Sequence, residues 1–164
     1  NVRVPVTDVL GEEGAAFSYL GQNLPRERLA MAAGGCATAA AAIAHAVSYT
    51  SDRRVFGKSV ADFQNTKFVL AECATDLAAG QTMVDHAVAL EDAGELSAVD
   101  AAICKLFCTE MAGRVIDKCL QLHGGYGYIL EYPIARLYAD TRVSRIYGGT
   151  SEVMKTIIAK SLSR

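Results

Sequence analysis

Apolar positions along this chain recur mainly at steps of three, four and seven residues, the spacing of one face of an α-helix. Leu29, Ala32, Cys36, Ile43 and Val47 form the first such stripe, which ends near Ser51-Asp52. Pro25 suits the first turn of that helix, where its missing N–H is no loss. A loop from Arg53 to Ser59 precedes a second stripe of Phe63, Leu70, Cys73, Leu77, Val84 and Val88, which ends before Gly94. Ser97, with Asp100 three residues on, predicts the N-cap of a third helix. That helix carries Ile103, Phe107, Met111, Val115 and Leu122 and stops at His123-Gly124-Gly125, glycine being suited to a left-handed helix end. Tyr132-Pro133 opens a shorter helix to about Arg142, and Thr150 or Ser151 caps a last one with Val153, Ile157, Ile158 and Leu162 buried.

The three long helices, each of roughly 25 residues or more, span on the order of 40 Å apiece. Short connections between them predict an all-α, antiparallel four-helix-bundle-like domain over residues 15–164. Residues 1–14 read differently. Val2-Arg3-Val4-Pro5-Val6 predicts a short strand and Gly11 to Gly14 a turn, with a brief helical turn through Phe17 and Leu20 after it. A chain that opens on Asn1, in a strand already under way, is expected to continue a larger protein.

Composition sharpens this picture. The 164 residues suffice for one domain with a core, and 51% are hydrophobic, yet only 7% are aromatic and none is Trp. Much of the apolar content is alanine, the strongest helix former. A net charge of −2 argues against general nucleic-acid binding, which needs a basic face. No run approaches ~20 uninterrupted apolar residues; the nearest, Met31 to Val47, is mostly Ala and Gly, contains His45, and reads as a buried helix rather than a membrane span. Cys36, Cys73, Cys104, Cys108 and Cys119 all lie in apolar helical patterns and read as reduced core thiols. That suits a reducing compartment, a bacterial cytoplasm or a mitochondrial matrix. Cys104 and Cys108 share a face, but nothing completes a zinc spacing, so no metal site is expected. His123 reads as structural, and without a Gly-x-Ser-x-Gly elbow the His123-Gly124-Gly125 segment does not make a hydrolase.

Four separated segments carry more specific information: Arg26-Glu27-Arg28-Leu29; Arg53-Arg54-Val55-Phe56-Gly57-Lys58 followed by Phe63-Gln64; Gln121-Leu122-His123-Gly124-Gly125-Tyr126-Gly127-Tyr128; and Ile146-Tyr147-Gly148-Gly149-Thr150-Ser151-Glu152-Val153. In this order they resemble the acyl-CoA dehydrogenase family over essentially the whole chain. The resemblance implies that residues 1–14 are the tail of a middle β domain and residues 15–164 a C-terminal helical bundle. It implies FAD held between domains and subunits, and α,β-dehydrogenation of acyl-CoA thioesters. A base takes the α-proton while a hydride leaves the β-carbon for the flavin. Electron-transfer flavoprotein or a similar acceptor, and a homo-oligomer (dimer or tetramer), follow from the same resemblance.

Such a base works best where shielding raises a carboxyl pKa towards neutrality. Many family members place it as Glu directly after the Tyr of a Tyr-Glu-Gly-Thr turn. Here that position is Gly148, which has no side chain to act. The long-chain and isovaleryl branches instead carry Glu two residues before the Leu of a Glu-Arg-Leu segment, the position of Glu27. The resemblance thus implies Glu27 as the catalytic base, although position alone would also explain it as a first-turn acid. It implies Arg28 and Gly149 at the substrate, the arginine against CoA and the glycine close to the thioester. For FAD it implies Arg53, Phe56, Phe63 and Gln64, reaching the cofactor of a neighbouring subunit, and Gln121, Leu122, Gly124 and Gly125 near the diphosphate. Thr150 and Glu152 stand at a helix start, where free N–H groups hold anions. Helix capping alone would account for Arg53, Thr150 and the Gly124-Gly125 stop. Two alternatives remain: an acyl-CoA oxidase, and a non-catalytic helical oligomerisation module, which exposed apolar faces would favour. Ala32, Ala33, Gly34 and Gly35 hint at room for a long or bulky acyl chain.

Overall fold

A computed structural model describes residues 1–163. Five helices account for most of them: α1 (Ala16–Asp52), α2 (Gln64–Asp92), α3 (Ala98–Leu122), α4 (Pro133–Thr141) and α5 (Ser151–Leu162). At 37 residues, α1 is about 55 Å long and carries the other elements along its length. Its core contact is with α3, and the packing is close because the facing residues are small. Ala32, Ala39, Ala42 and Ala46 are fully buried, and a Cβ on Gly35 would stand 2.9 Å from the Cys108 carbonyl oxygen. A Cβ on Gly80 of α2 would similarly meet Met111 at 2.9 Å and Cys36 at 3.2 Å. Three backbones thus converge around the Cys36–Cys108 level. All five cysteines are free and buried there or along the same seam.

The helix ends follow local chemistry. Ser97 Oγ accepts the Asp100 N–H at 3.1 Å, as its spacing predicts, and Thr150 Oγ1 accepts the Val153 N–H at 3.3 Å. Gly124 ends the third helix with φ +57°. The α1 helix is long and apolar enough to cross a membrane by length and composition. Its alanine stripe, however, is buried against α3.

Several expectations are corrected. Helix α1 begins at Ala16, nine residues before Pro25, and runs straight through the proline. Pro25 cannot donate to the Gly21 carbonyl, so this first stretch, exposed over most of its length, is held by fewer interactions than the rest. The strand at Val2–Val6 does not form: residues 1–5 are irregular and exposed, and Val6–Asp8 make a 3-10 turn. A strand needs an edge to pair with, and this segment has none among the described residues.

The Arg53–Ser59 loop is instead a two-residue hairpin, β1 (Arg54–Val55) against β2 (Lys58–Ser59), with Val55 opposite Lys58. Its turn residues Phe56 and Gly57 have φ +50° and +82°, both left-handed, as a primed turn requires. Val47, Val88, Ile103, Val153 and Leu162 are exposed rather than buried. The first four lie immediately beside a buried small residue or Met: Ala46, Ala87, Ala102 and Met154. One residue is 100° of helix, so the neighbour of each buried position is carried out of the core.

Candidate active site

The 3-10 turn Arg142–Arg145 and the start of α5 are joined by Tyr147-Gly148-Gly149-Thr150, and this short turn is the centre of the site. Gly148 and Gly149 have φ +64° and +103°, conformations glycine adopts without a Cβ penalty. Neither has space for a side chain. A Cβ on Gly148 would overlap the thioether of Met31 from α1, and one on Gly149 would lie 2.7 Å from Met154 Cε. Both carbonyls of the pair are taken by buried cations. Arg28 of α1, 6% exposed, donates Nε–H to Gly148 O at 3.2 Å. Lys105 of α3, 0% exposed, donates from Nζ to Gly149 O at 2.7 Å. Burial pushes both pKa values down, and the Arg28 charge pushes Lys105 further. One turn along α3, Glu110 accepts Ser151 Oγ–H at 2.6 Å and Arg145 at 3.1 Å. Helix α3 therefore fastens the turn on both sides of Thr150.

Glu27 stands beside this turn. It precedes Arg28 and lies one helical turn from Met31, on an open cavity of about 530 Å³ that Gly34, Asp140, Thr141 and Tyr147 also line. Its Oε1 accepts Asn23 Nδ2–H at 2.7 Å, and the residue is exposed. The shielding such a base requires is not supplied by residues 1–163. Asp140 of α4 is the second carboxylate on the cavity.

A second cavity, of about 490 Å³, gathers Arg53, Gln121, Leu122, Gly124 and Gly125. Aromatic rings wall it. Tyr49 stacks on His123 with centroids 4.5 Å apart, and the Arg53 guanidinium lies 5.7 Å from the Tyr126 ring centre. His123 is 3% exposed and donates Nδ1–H to Cys119 O at 2.8 Å. Burial lowers its pKa, so the ring is a neutral structural wall. Phe56, 95% exposed, sits at the hairpin tip; Phe63 lies under Lys58 Nζ at 4.0 Å; and Gln64 begins α2. These three lie outside that cavity's lining. Thr150 and Glu152 belong with the glycine turn instead. The ten residues expected at FAD are thus divided among two places and a flanking segment that runs from the hairpin tip to the start of α2.

Lys105, Met31, Tyr49 and Tyr126 were not singled out from the sequence. Lys105 was findable: it falls four residues after Ala101 and three before Cys108, squarely on the buried face of α3. A lysine there must have a polar partner. Met31 has no such signal, since its role depends on a residue 117 positions away, 148 minus 31.

The helical bundle thus clamps a diglycine turn between two long helices, with a carboxylate alongside and an arginine-bearing aromatic cavity at one end, a C-terminal bundle of the acyl-CoA dehydrogenase type. The chain belongs to the acyl-CoA dehydrogenase family: residues 14–163 match the family described as "Acyl-CoA dehydrogenase, C-terminal domain". It is 40% identical over 162 residues to the long-chain specific mitochondrial acyl-CoA dehydrogenase of Rattus norvegicus, covering 99% of this chain and 38% of that protein. It is 38% identical to a caffeyl-CoA reductase–Etf complex subunit of Acetobacterium woodii, covering 99% and 43%. The crystal structure of an acyl-CoA dehydrogenase from Geobacillus kaustophilus superposes with a TM-score of 0.95 at 45% identity, covering 98% of this chain and 42% of that one. The chain therefore spans about two-fifths of the length of these relatives.

Proposed function

We propose that this chain is the C-terminal part of an FAD-dependent acyl-CoA dehydrogenase in which Glu27 takes the α-proton of an acyl-CoA thioester. One observation carries the reading. The turn position where many family members hold Glu is Gly148, its side-chain space is filled by Met31, and Glu27 stands one turn from that methionine. A carboxylate is thus offered from α1 where none can be offered from the turn. The open cavity receives the acyl chain, and Gly34 leaves it unobstructed, since a Cβ there would meet nothing within 4 Å. In the reductive direction the same carboxyl would return the proton, as a likeness to a named reductase invites.

The second cavity suits an anionic dinucleotide: Arg53 for phosphate charge, Gly124 and Gly125 for close backbone approach, and Tyr49 and Tyr126 as stacking faces. Bound there, FAD supplies the acceptor for the hydride that leaves the β-carbon. Phe56, Phe63 and Gln64 extend this surface towards a neighbouring subunit, and Thr150 and Glu152 flank the reacting end. Exposed Phe56, Tyr128 and Leu130 favour a homo-oligomer, and the likeness to a reductase–Etf complex subunit favours an electron-transfer flavoprotein as partner. The residues taken alone do not carry the complete reaction, because Glu27 is uncovered.

The full-length parent with Glu27→Gln, mixed anaerobically with acyl-CoA, tests the assignment. Flavin bleaching should slow by about 10²- to 10⁴-fold with FAD and acyl-CoA still bound. Normal bleaching by Glu27→Gln, with loss in Asp140→Asn, would move the base to α4. Sedimentation of the isolated chain tests the oligomerisation alternative, against which a clean monomer would count.

A further inference from the structure

We propose that Asn23 is a positioning residue for the base: its amide holds one oxygen of the Glu27 carboxylate at the end of the acyl cavity and leaves the other to receive the α-proton. The inference rests on the acyl-CoA reading, in which Glu27 is the base, and adds the group that orients it.

The placement follows from helix geometry. At about 100° per residue, Asn23, Met31, Gly34 and Thr38 all fall within about 40° of Glu27 around α1, so the five form one stripe. Glu27, Met31, Gly34 and Thr38 line the cavity, and Asn23 stands one turn beyond its end. Side chains on a helix lean towards its N-terminus, so Glu27 reaches back towards Asn23 rather than further along the stripe. There Asn23 donates Nδ2–H to Glu27 Oε1 at 2.7 Å. A carboxylate only accepts, so the amide must turn its NH₂ group to it. Glu27 Oε2 accepts no hydrogen bond among the described residues.

The backbone around Glu27 is fixed independently. Arg26, about 100° to one side, donates Nε–H to Glu91 of α2 at 2.5 Å. Arg28, about 100° to the other side, donates Nε–H to Gly148 O at 3.2 Å. Two neighbours tied to different elements set the direction in which the Glu27 Cβ leaves the helix, and only its side-chain torsions remain free. An exposed carboxylate without a partner would spread over several staggered rotamers, and the Asn23 amide selects among them. The other ionisable groups nearby supply no such hold. Asp140 of α4, on the same cavity, carries the same charge; Tyr147 makes no hydrogen bond to Glu27; and Arg28 is engaged at the turn. A base held in one pose spends less of each encounter misaligned with the α-carbon.

The test uses the full-length, FAD-loaded enzyme with Asn23→Leu, a side chain of similar shape without a donor. It is mixed anaerobically with acyl-CoA while flavin absorbance is followed. Bleaching at saturation should fall about tenfold, the scale of a base displaced by a fraction of an ångström. The half-saturating concentration should move less than about threefold, because alignment rather than binding is lost. Asn23→Asp, equal in size but negative and without a donor, should fall at least as far. Asn23→Gln, which still reaches across one turn, should recover most of the wild-type rate. Added to Glu27→Gln, Asn23→Leu should change the residual rate by less than about twofold, since a residue acting through Glu27 has nothing left to act on. Wild-type or faster bleaching in a folded, FAD-loaded Asn23→Leu would overturn the proposal. So would a loss that Asn23→Gln does not recover, or an equal loss in the Glu27→Gln background. If Asn23→Leu does not load FAD, Asn23→Asp decides by the same rate criterion. Near-normal bleaching by Glu27→Gln alone would instead remove the base assignment, so the two failures are told apart.

Discussion

Gly148 and Met31 are reciprocal: the side chain the turn lacks would occupy the volume that the α1 thioether fills. Adding Cβ at Gly148 forces a left-handed non-glycine residue as well as an overlap. Gly148→Ala should therefore destabilise the domain by about 2–4 kcal/mol in thermal unfolding. Combining it with Met31→Ala removes the overlap and leaves the backbone term, so the second substitution should recover about 1 kcal/mol of the loss caused by the first. Strict additivity would mean that Met31 does not guard this position.

Two adjacent glycines on α1 should behave oppositely. Gly35 faces the Cys108 carbonyl oxygen, with a Cβ at 2.9 Å, whereas Gly34 faces open cavity. Gly34→Ala should stabilise by up to about 1 kcal/mol through helix propensity alone. Gly35→Ala gains the same propensity but must push α3 away, and a net loss of about 1–2 kcal/mol is expected. Paired chemical denaturation curves would show the opposite displacements.

The same pair explains how much could be read in advance. The Ser97–Asp100 cap was legible because a cap is local chemistry. Glu27 and Gly148 stood out because one motif carried a carboxylate where another lacked it. The buried face of α1 was harder: alanines at 32, 39, 42 and 46 do the burying, while the larger Val47 points outward. A reading weighted by side-chain bulk follows Val47. The Phe56-Gly57 turn was hidden because Phe seldom accepts positive φ, and an Asn there would have announced the hairpin. The Met31–Gly148 and Lys105–Gly149 contacts are tertiary, so only the burial of a lysine at helical spacing could have pointed to the second.

If the aromatic cavity holds FAD, Arg53 supplies its fixed charge at the end of α1. Arg53→Ala in the full-length protein should weaken FAD retention about tenfold or more, the range of a lost charge-assisted hydrogen bond. Flavin fluorescence released on dilution measures it. The helices should be unaffected, because Arg53 lies beyond the last residue of α1 and makes no ion pair among the described residues.

Glu110 ties α3 to the start of α5, and its stability contribution has a defined pH window. Burial pushes its pKa up, but the hydrogen bonds from Ser151 and Arg145, with the Arg145 charge, outweigh burial and hold it below the ordinary 4.5. A carboxyl whose folded pKa is depressed binds fewer protons folded than unfolded, so its contribution is complete above 4.5 and fades as pH falls through the folded value. Glu110→Gln should therefore melt lower than wild type at pH 7, by an amount corresponding to roughly 1 kcal/mol for a partly exposed pair. The gap should narrow steadily below about pH 4.5, as the wild-type carboxyl is itself neutralised. Because Ser151 is the first residue of α5, local amide exchange at that helix should rise in the same variant at pH 7. An unchanged gap between pH 7 and acid would show that Glu110 holds the turn by shape rather than by charge.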